Sequence, residues 1–99
     1  MDKYVGTSAS GVRKYGLRKY GLTGEQYEML LASQNGACAI CHGSPPVGKS
    51  LNVDHDHDTG IVRGLLCTPC NTGLGFFKDR IRLLAAAIVY LQDHEVRIR

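Results

Sequence analysis

The residues in this 99-residue chain with most capacity for chemistry lie between Cys38 and Asn71. Cys38-x-x-Cys41 opens the stretch, Cys67-x-x-Cys70 closes it, and Asp54-His55-Asp56-His57-Asp58 lies between them. A Cys-x-x-Cys pair wraps one side of a metal ion as a knuckle, and two pairs supply the four thiolates of a closed, tetrahedral structural zinc. Such a clamp would tie together both ends of the Asp/His segment. It would also carry Asn71, next to Cys70, back toward it. Disulfides are the alternative use of four cysteines, and a reducing cytosol favours metal.

Three readings compete for the Asp/His run. Asp54, Asp56 and Asp58 alternate like the first ligands of a calcium loop. The spacing then fails, because Thr59 and Leu65 stand where that loop needs Gly and Glu. A solvated turn is the usual fate of a charged run, but it gives no reason for two histidines among three acids between two knuckles. The third reading is a one-metal nuclease site. Phosphodiester hydrolysis needs a base for water, a divalent cation beside the phosphate, and oxygen ligands suited to a hard ion. Asp, His and Asn supply that set, and an imidazole with an ordinary pKa near ~6.5 accepts a proton around neutral pH.

The elements that must hold these residues are legible nearby. Leu51-Asn52-Val53 alternates as a strand and residues 61–66 read as its partner, with polar turn residues before them, so the Asp/His run falls at the tip of a β-hairpin. Upstream, Thr23 and Gln26 have capping-box spacing, and Leu22 and Tyr27 occupy the positions of a hydrophobic staple. A helix starts there, buries Tyr27, Leu30 and Leu31, and stops at Asn35-Gly36. Gly43-Ser44-Pro45-Pro46 is a loop. Downstream, a short helix runs from Asn71 to about Phe77. A longer one, capped by Asp79, carries Ile81, Leu84, Ala85, Ile88 and Leu91 on one face, widened by Leu83, Ala87 and Tyr90. That face is broad enough to bury against two neighbours, within a monomer or across a homodimer, and the sequence leaves the choice open. His94 suits the negative end of this helix, and His42 is a knuckle neighbour.

The net charge of +3 is unevenly spread. Residues 1–22 hold Lys3, Arg13, Lys14, Arg18 and Lys19 against Asp2 alone, whereas the remainder is near neutral. Residues 1–12 are small and polar without periodicity, and Arg-Lys-Tyr-Gly-Leu then occurs twice, at 13–17 and 18–22. Paired cations beside an aromatic ring offer phosphate contacts and a stacking face. A solvated arm whose Tyr and Leu merely dock on the body is the alternative. The expected organisation is a basic, partly flexible arm over 1–22 and a domain over 23–99. So small a domain has a limited core, which a metal staple would supplement. No apolar run is long enough to span a bilayer, and the N-terminus lacks an apolar signal core. A soluble, cytoplasmic protein is expected.

The segments Tyr20-Gly21-Leu22-Thr23, Cys38-Ala39-Ile40-Cys41, Val53-Asp54-His55-Asp56-His57, Thr59-Gly60, Val62-Arg63-Gly64-Leu65-Leu66-Cys67 and Cys70-Asn71 closely resemble the phage recombination endonuclease VII family. The resemblance covers roughly residues 13–94. It implies an α+β fold of the HNH, ββα-metal or His-Me finger type, a hairpin and helix around one Mg²⁺ or Mn²⁺ with flanking helices. By position it makes Cys38, Cys41, Cys67 and Cys70 the ligands of structural Zn²⁺, and Asp54 and Asn71 ligands of the catalytic cation. His55 becomes the general base and His57 a phosphate-contacting or base-supporting group. DNA is the implied partner, with Arg13, Lys14, Arg18, Lys19 and Arg63 as candidate contacts; Arg63 has the alternative of pairing with a hairpin carboxylate. If phage-encoded, the protein would work in the host cytoplasm. Two departures from the founding enzyme stand out. Leu74 replaces a functional glutamate three residues after the asparagine, and the chain lacks the long C-terminal region used in dimerisation and junction binding. Nicking or cutting of duplex or branched DNA is therefore expected over Holliday-junction resolution.

The competing function is a catalytically silent zinc module that binds nucleic acid. It needs only the cysteines and leaves Asp54, His55 and Asn71 without a reason. A protein-docking module using the helix after Asp79 is the third.

Overall fold

The computed structural model describes residues 17–98. It contains a 3-10 turn (Arg18–Tyr20), helix α1 (Gly24–Ser33), a hairpin of strands β1 (Asn52–His55) and β2 (Val62–Leu66), helix α2 (Thr68–Phe76) and helix α3 (Ile81–Ile98). Arg13 and Lys14 lie outside the described residues. The second Arg-Lys-Tyr-Gly-Leu copy turns back on itself. The Leu22 N–H reaches the Leu17 carbonyl at 3.3 Å, and Gly21 supplies the left-handed conformation this reversal requires (φ 70°). Leu17 is fully buried, so the C-terminal end of the expected arm is anchored in the core.

Helix α1 begins as its sequence dictates. Thr23 Oγ1 accepts the Gln26 N–H at 3.1 Å while Gln26 Oε1 accepts the Thr23 N–H at 2.7 Å, satisfying two donors that a bare helix end leaves unpaired. Tyr27 drives the buried face inward, and its hydroxyl donates to the Leu51 carbonyl at 2.7 Å. The helix ends at Asn35 and Gly36, both left-handed (φ 57° and 73°), with the Gly36 N–H closing on the Leu31 carbonyl. Gln34, just past the last turn, binds the edge of the sheet. Its Oε1 accepts the Leu65 N–H at 2.9 Å, and its Nε2 donates to the carbonyls of Leu65 (2.9 Å) and Ala37 (2.8 Å). One side chain thus takes the place of a third strand at Leu65. Gly64 is what permits the approach, since a Cβ there would sit 3.1 Å from Gln34 Oε1.

The hairpin is antiparallel, pairing Asn52 with Leu66, Val53 with Leu65, Asp54 with Gly64 and His55 with Val62. Arg63 is left over as a β-bulge, a feature that bends a strand and re-aims a side chain. Asp54 and His55 therefore lie within β1, and only Asp56 to Gly60 form the turn, which corrects the expectation of a cluster wholly at the tip. Asp56 builds that turn: its Oδ1 accepts the N–H groups of Asp58 (2.8 Å) and Thr59 (2.9 Å). Those bonds, the one from Thr59 first, hold its carboxyl below the ordinary range.

Leu17, Tyr27, Cys38, Leu51, Val53, Leu65 and Leu66 form the core, with Leu30 and Leu31 of α1 and Leu74 of α2 packed against it. Helix α2 packs across β1. It starts at Thr68, earlier than the expected Asn71, because Cys67 in extended conformation serves as N-cap and Pro69 fits the first turn. Helix α3 is amphipathic, yet Ile81, Ile88 and Leu91 are exposed, so its apolar face is not buried against the described residues. Asp79 does not cap it. Lys78 and Asp79 both adopt the left-handed conformation (φ 54° and 57°), α3 starts at Ile81, and the Asp79 carboxylate turns to the hairpin instead.

Candidate metal and catalytic site

Cys38, Cys41, Cys67 and Cys70 meet with their sulfur atoms all within 4.8 Å of one another. Cys41 and Cys67 Sγ are 3.7 Å apart, close to the roughly 3.8 Å edge of a tetrahedron with Zn–S bonds of about 2.3 Å. The first knuckle turns its amides onto its own sulfurs, Ile40 N–H to Cys38 Sγ and Gly43 N–H to Cys41 Sγ, both at 3.4 Å. Burial pushes the Cys38 thiol up, but the N–H groups of Cys41, Cys67 and Ile40 outweigh it and bring the pKa down to about 6. Cys70 is pushed up to about 12, chiefly by sharing its proton with Cys67 and then by burial. The cluster can thus hold one metal ion that prefers sulfur, at the cost of expelling a proton from Cys70.

Cys67 also caps α2, so the cluster and the helix that carries Asn71 share a residue. The Asn71 N–H bonds the Cys67 carbonyl at 2.9 Å, and its half-buried side-chain amide has no hydrogen-bond partner among the described residues. On the facing strand, Asp54 is buried, with its side chain 12% exposed. Arg63, thrown back by the bulge, grips it with both arms: Nε to Oδ2 at 2.7 Å and Nη2 to Oδ1 at 3.0 Å. The same Nη2 reaches Asp79 Oδ2 at 3.2 Å. These two carboxylates, Asp54 foremost, raise the Arg63 pKa still further above its ordinary value. Of the two alternatives for Arg63, the carboxylate pair is the contact present.

His55 is half-buried between two rings, 5.2 Å from the Tyr20 centroid and 5.0 Å from that of His57. Its ring nitrogens have no hydrogen-bond partner among the described residues, which leaves a lone pair available to water. Lys19 lies over the Tyr20 ring at 5.2 Å. His57 is exposed, and its Nε2 lies 3.8 Å from Asp79 Oδ2. A cavity of about 550 Å³ opens here between the hairpin turn and the α2–α3 connection, with His57, Arg63, Lys78 and Asp79 in its wall.

Asp54, His55, His57 and Arg63 thus converge at one end of the hairpin, beside the helix bearing Asn71. Asp79 and Tyr20 are the members that sequence reasoning assigned elsewhere, Asp79 to a helix cap and Tyr20 to a DNA-stacking arm. Nothing local marks Asp79, because its role depends on a left-handed turn that the residues around it do not announce. The donor chemistry fits a hard divalent cation: a carboxylate and an amide oxygen on facing elements.

The sequence profile of the recombination endonuclease VII family matches residues 13–93. The chain belongs to the recombination endonuclease VII family. The gene 59 proteins of Mycobacterium phages D29 and L5 are relatives, 51% and 50% identical over 72 and 71 residues, or 72% and 71% of this chain. Those stretches make up 44% and 43% of the relatives' lengths, so the chain corresponds to less than half of either. Among solved structures, the ββα-Me type II restriction endonuclease Hpy99I superposes with a TM-score of 0.55 at 31% identity, covering 91% of this chain and 44% of that one. The hairpin and α2 are therefore a ββα-Me arrangement, as the resemblance implied, and the four-cysteine cluster lies at the start of α2. No helix among the described residues is long and apolar enough to cross a membrane.

Proposed function

We propose that this endonuclease VII family member hydrolyses phosphodiester bonds in duplex or branched DNA, using one catalytic divalent cation, Mg²⁺ or Mn²⁺, and one structural zinc. Asp54 and Asn71 hold the cation, which when bound neutralises charge on the phosphate and the leaving oxygen. His55 takes the proton from the attacking water at its free ring nitrogen. The Tyr20 and His57 rings on either side hold the imidazole in place, and His57, exposed beside the cavity, contacts the phosphate. Cys38, Cys41, Cys67 and Cys70 bind the zinc that holds α2 against β1. Arg13, Lys14, Arg18 and Lys19 supply phosphate contacts that are independent of sequence, and Arg63 adds one at the site.

The observation that carries this reading is the unpartnered imidazole of His55, held between the Tyr20 and His57 rings and next along β1 to the buried carboxylate of Asp54, in a fold shared with a nuclease. A silent zinc module would have no use for either. The deciding experiment is nicking of supercoiled plasmid by the wild-type protein and by His55→Ala, with and without Mg²⁺. Wild type should nick only with the cation, and His55→Ala should lose roughly 10²–10⁴-fold in rate with zinc content and DNA affinity unchanged, the usual yield of a positioned base. No nicking by wild type under any divalent cation would leave the binding module as the function.

A further inference from the structure

The Arg63 guanidinium lies on the carboxylate that the proposed function gives to the cation. Both Asp54 oxygens accept from it, at 2.7 and 3.0 Å. A cation arriving at Asp54 meets a fixed positive charge within hydrogen-bonding distance, and like charges that close repel strongly in a partly buried site. Something must receive the guanidinium if the cation is to load.

Asp79 is placed to do so. Its Oδ2 already shares Nη2 with Asp54, at 3.2 Å, so Arg63 need only pivot about a contact it has. The Arg63 side chain is 37% exposed, which leaves it room to move, whereas Asp79 is 21% exposed. The Asp79 backbone is fixed at φ 57°, with its N–H bonded to the Leu74 carbonyl at 3.0 Å. A left-handed conformation costs a non-glycine residue energy, and here the strained turn aims a carboxylate at the hairpin. His57 Nε2, 3.8 Å from the same oxygen, is too distant to displace the guanidinium.

We propose that Asp79 is a positioning residue that draws Arg63 off Asp54 when a divalent cation binds there. Arg63 exchanges from the metal-ligating carboxylate to the one beside the cavity, and Asp54 is freed without sending a bare guanidinium into solvent. The inference rests on the proposed role of Asp54 as a cation ligand.

The test needs no DNA. Mn²⁺ is titrated calorimetrically into the zinc-loaded full chain, as wild type, Asp79→Asn, Arg63→Gln, the double variant and Asp54→Ala. Asn suits the left-handed position, and far-UV circular dichroism confirms folding; if Arg63→Gln fails that check, Arg63→Met replaces it. Asp79→Asn should weaken Mn²⁺ binding about tenfold when Arg63 is present, the worth of one charge-assisted contact. With Arg63 replaced it should weaken binding by no more than about twofold, the effect of removing one screened charge. Arg63→Gln alone should bind Mn²⁺ at least as tightly as wild type. Equal losses in both backgrounds would assign Asp79 a merely structural part and overturn the exchange, as would no loss with Arg63 present. If Asp54→Ala binds Mn²⁺ like wild type, the cation is not on Asp54, and the exchange falls together with the proposed cation site. If Asp54→Ala loses binding and Asp79→Asn does not, only the exchange falls.

Discussion

Replacing Gln34 by Ala should destabilise the whole site although Gln34 touches none of the residues proposed for catalysis. Its amide makes three hydrogen bonds, and two of them satisfy Leu65, a residue with no solvent exposure. The Leu65 carbonyl keeps a second donor in the Ala39 N–H at 3.1 Å, and the Ala37 carbonyl is near enough to the surface to find water. The Leu65 N–H has neither recourse. A buried donor left unpaired costs about 1–3 kcal/mol, and the two lost donations to carbonyls bring the expected total to about 2–3 kcal/mol. For a domain of this size that is a fall in Tm of roughly 8–24 °C. Thermal melts of the zinc-loaded protein followed by far-UV circular dichroism measure it, and amide exchange at Leu65 should accelerate by a similar free energy. Gln34→Glu is a stringent companion: it keeps the acceptor for the Leu65 N–H but sets a carboxylate oxygen against the carbonyls of Leu65 and Ala37, where the amide donated at 2.9 and 2.8 Å, and that repulsion should leave it no more stable than the alanine variant. A Tm within about 3 °C of wild type for Gln34→Ala would refute the idea that this amide stands in for a third strand.

Removing zinc with a chelator should abolish the cooperative melt, because a small core has no other staple; retention of the transition at the same midpoint would argue against the clamp. Zinc and protons compete for the thiols, so zinc affinity should rise with pH wherever Cys70, with its pKa near 12, must give up its proton. It should fall more steeply below about pH 6, where Cys38 also becomes protonated; competition with a chromogenic chelator across pH 5–9 reads both regimes. Deleting residues 1–16, and no further because Leu17 is in the core, should flatten the salt dependence of DNA binding by about 1.8 in slope if Arg13 and Lys14 each contact a phosphate. An unchanged slope would remove them from the interface. Asp54→Ala should lose nicking in a way that added Mn²⁺ partly restores, whereas added metal should do nothing for His55→Ala.

The parts of the fold that were legible in the sequence are those settled over a few residues. Thr23 and Gln26 cap a helix because both partners lie within one turn, and each cysteine pair announces its knuckle by its own spacing. The hairpin was legible as two strands, but its register was not. That Arg63 would be squeezed out as a bulge and folded onto Asp54 depends on which residues pair across the turn, a decision shared by the whole sheet. The role of Gln34 is hidden for a related reason: its partner Leu65 is 31 residues away, and a lone glutamine after a helix carries no mark of it. Asp79, an acidic residue just before an amphipathic run, has the composition of a cap, while its left-handed backbone is set by how α2 ends. The amphipathic pattern of α3 is plain in its sequence, but periodicity gives a face and not a partner.

The shared use of Cys67, as sulfur donor and as helix cap, also bears on how the chain finds its fold. Each knuckle closes over three residues and can form early, whereas joining Cys41 to Cys67 closes a loop of 26 residues, an entropic cost of about 3 kcal/mol beyond a constant. A metal ion that captures the second knuckle meets that cost before any strand has paired. With the ends of the hairpin already gathered, β1 and β2 search only a short tether for their register, and α2 starts from a cap already in position. The rate of refolding should therefore climb with free zinc at low concentration and then level off once ligation is no longer the slow step. Folding speed, as well as stability, would then be set by the supply of metal.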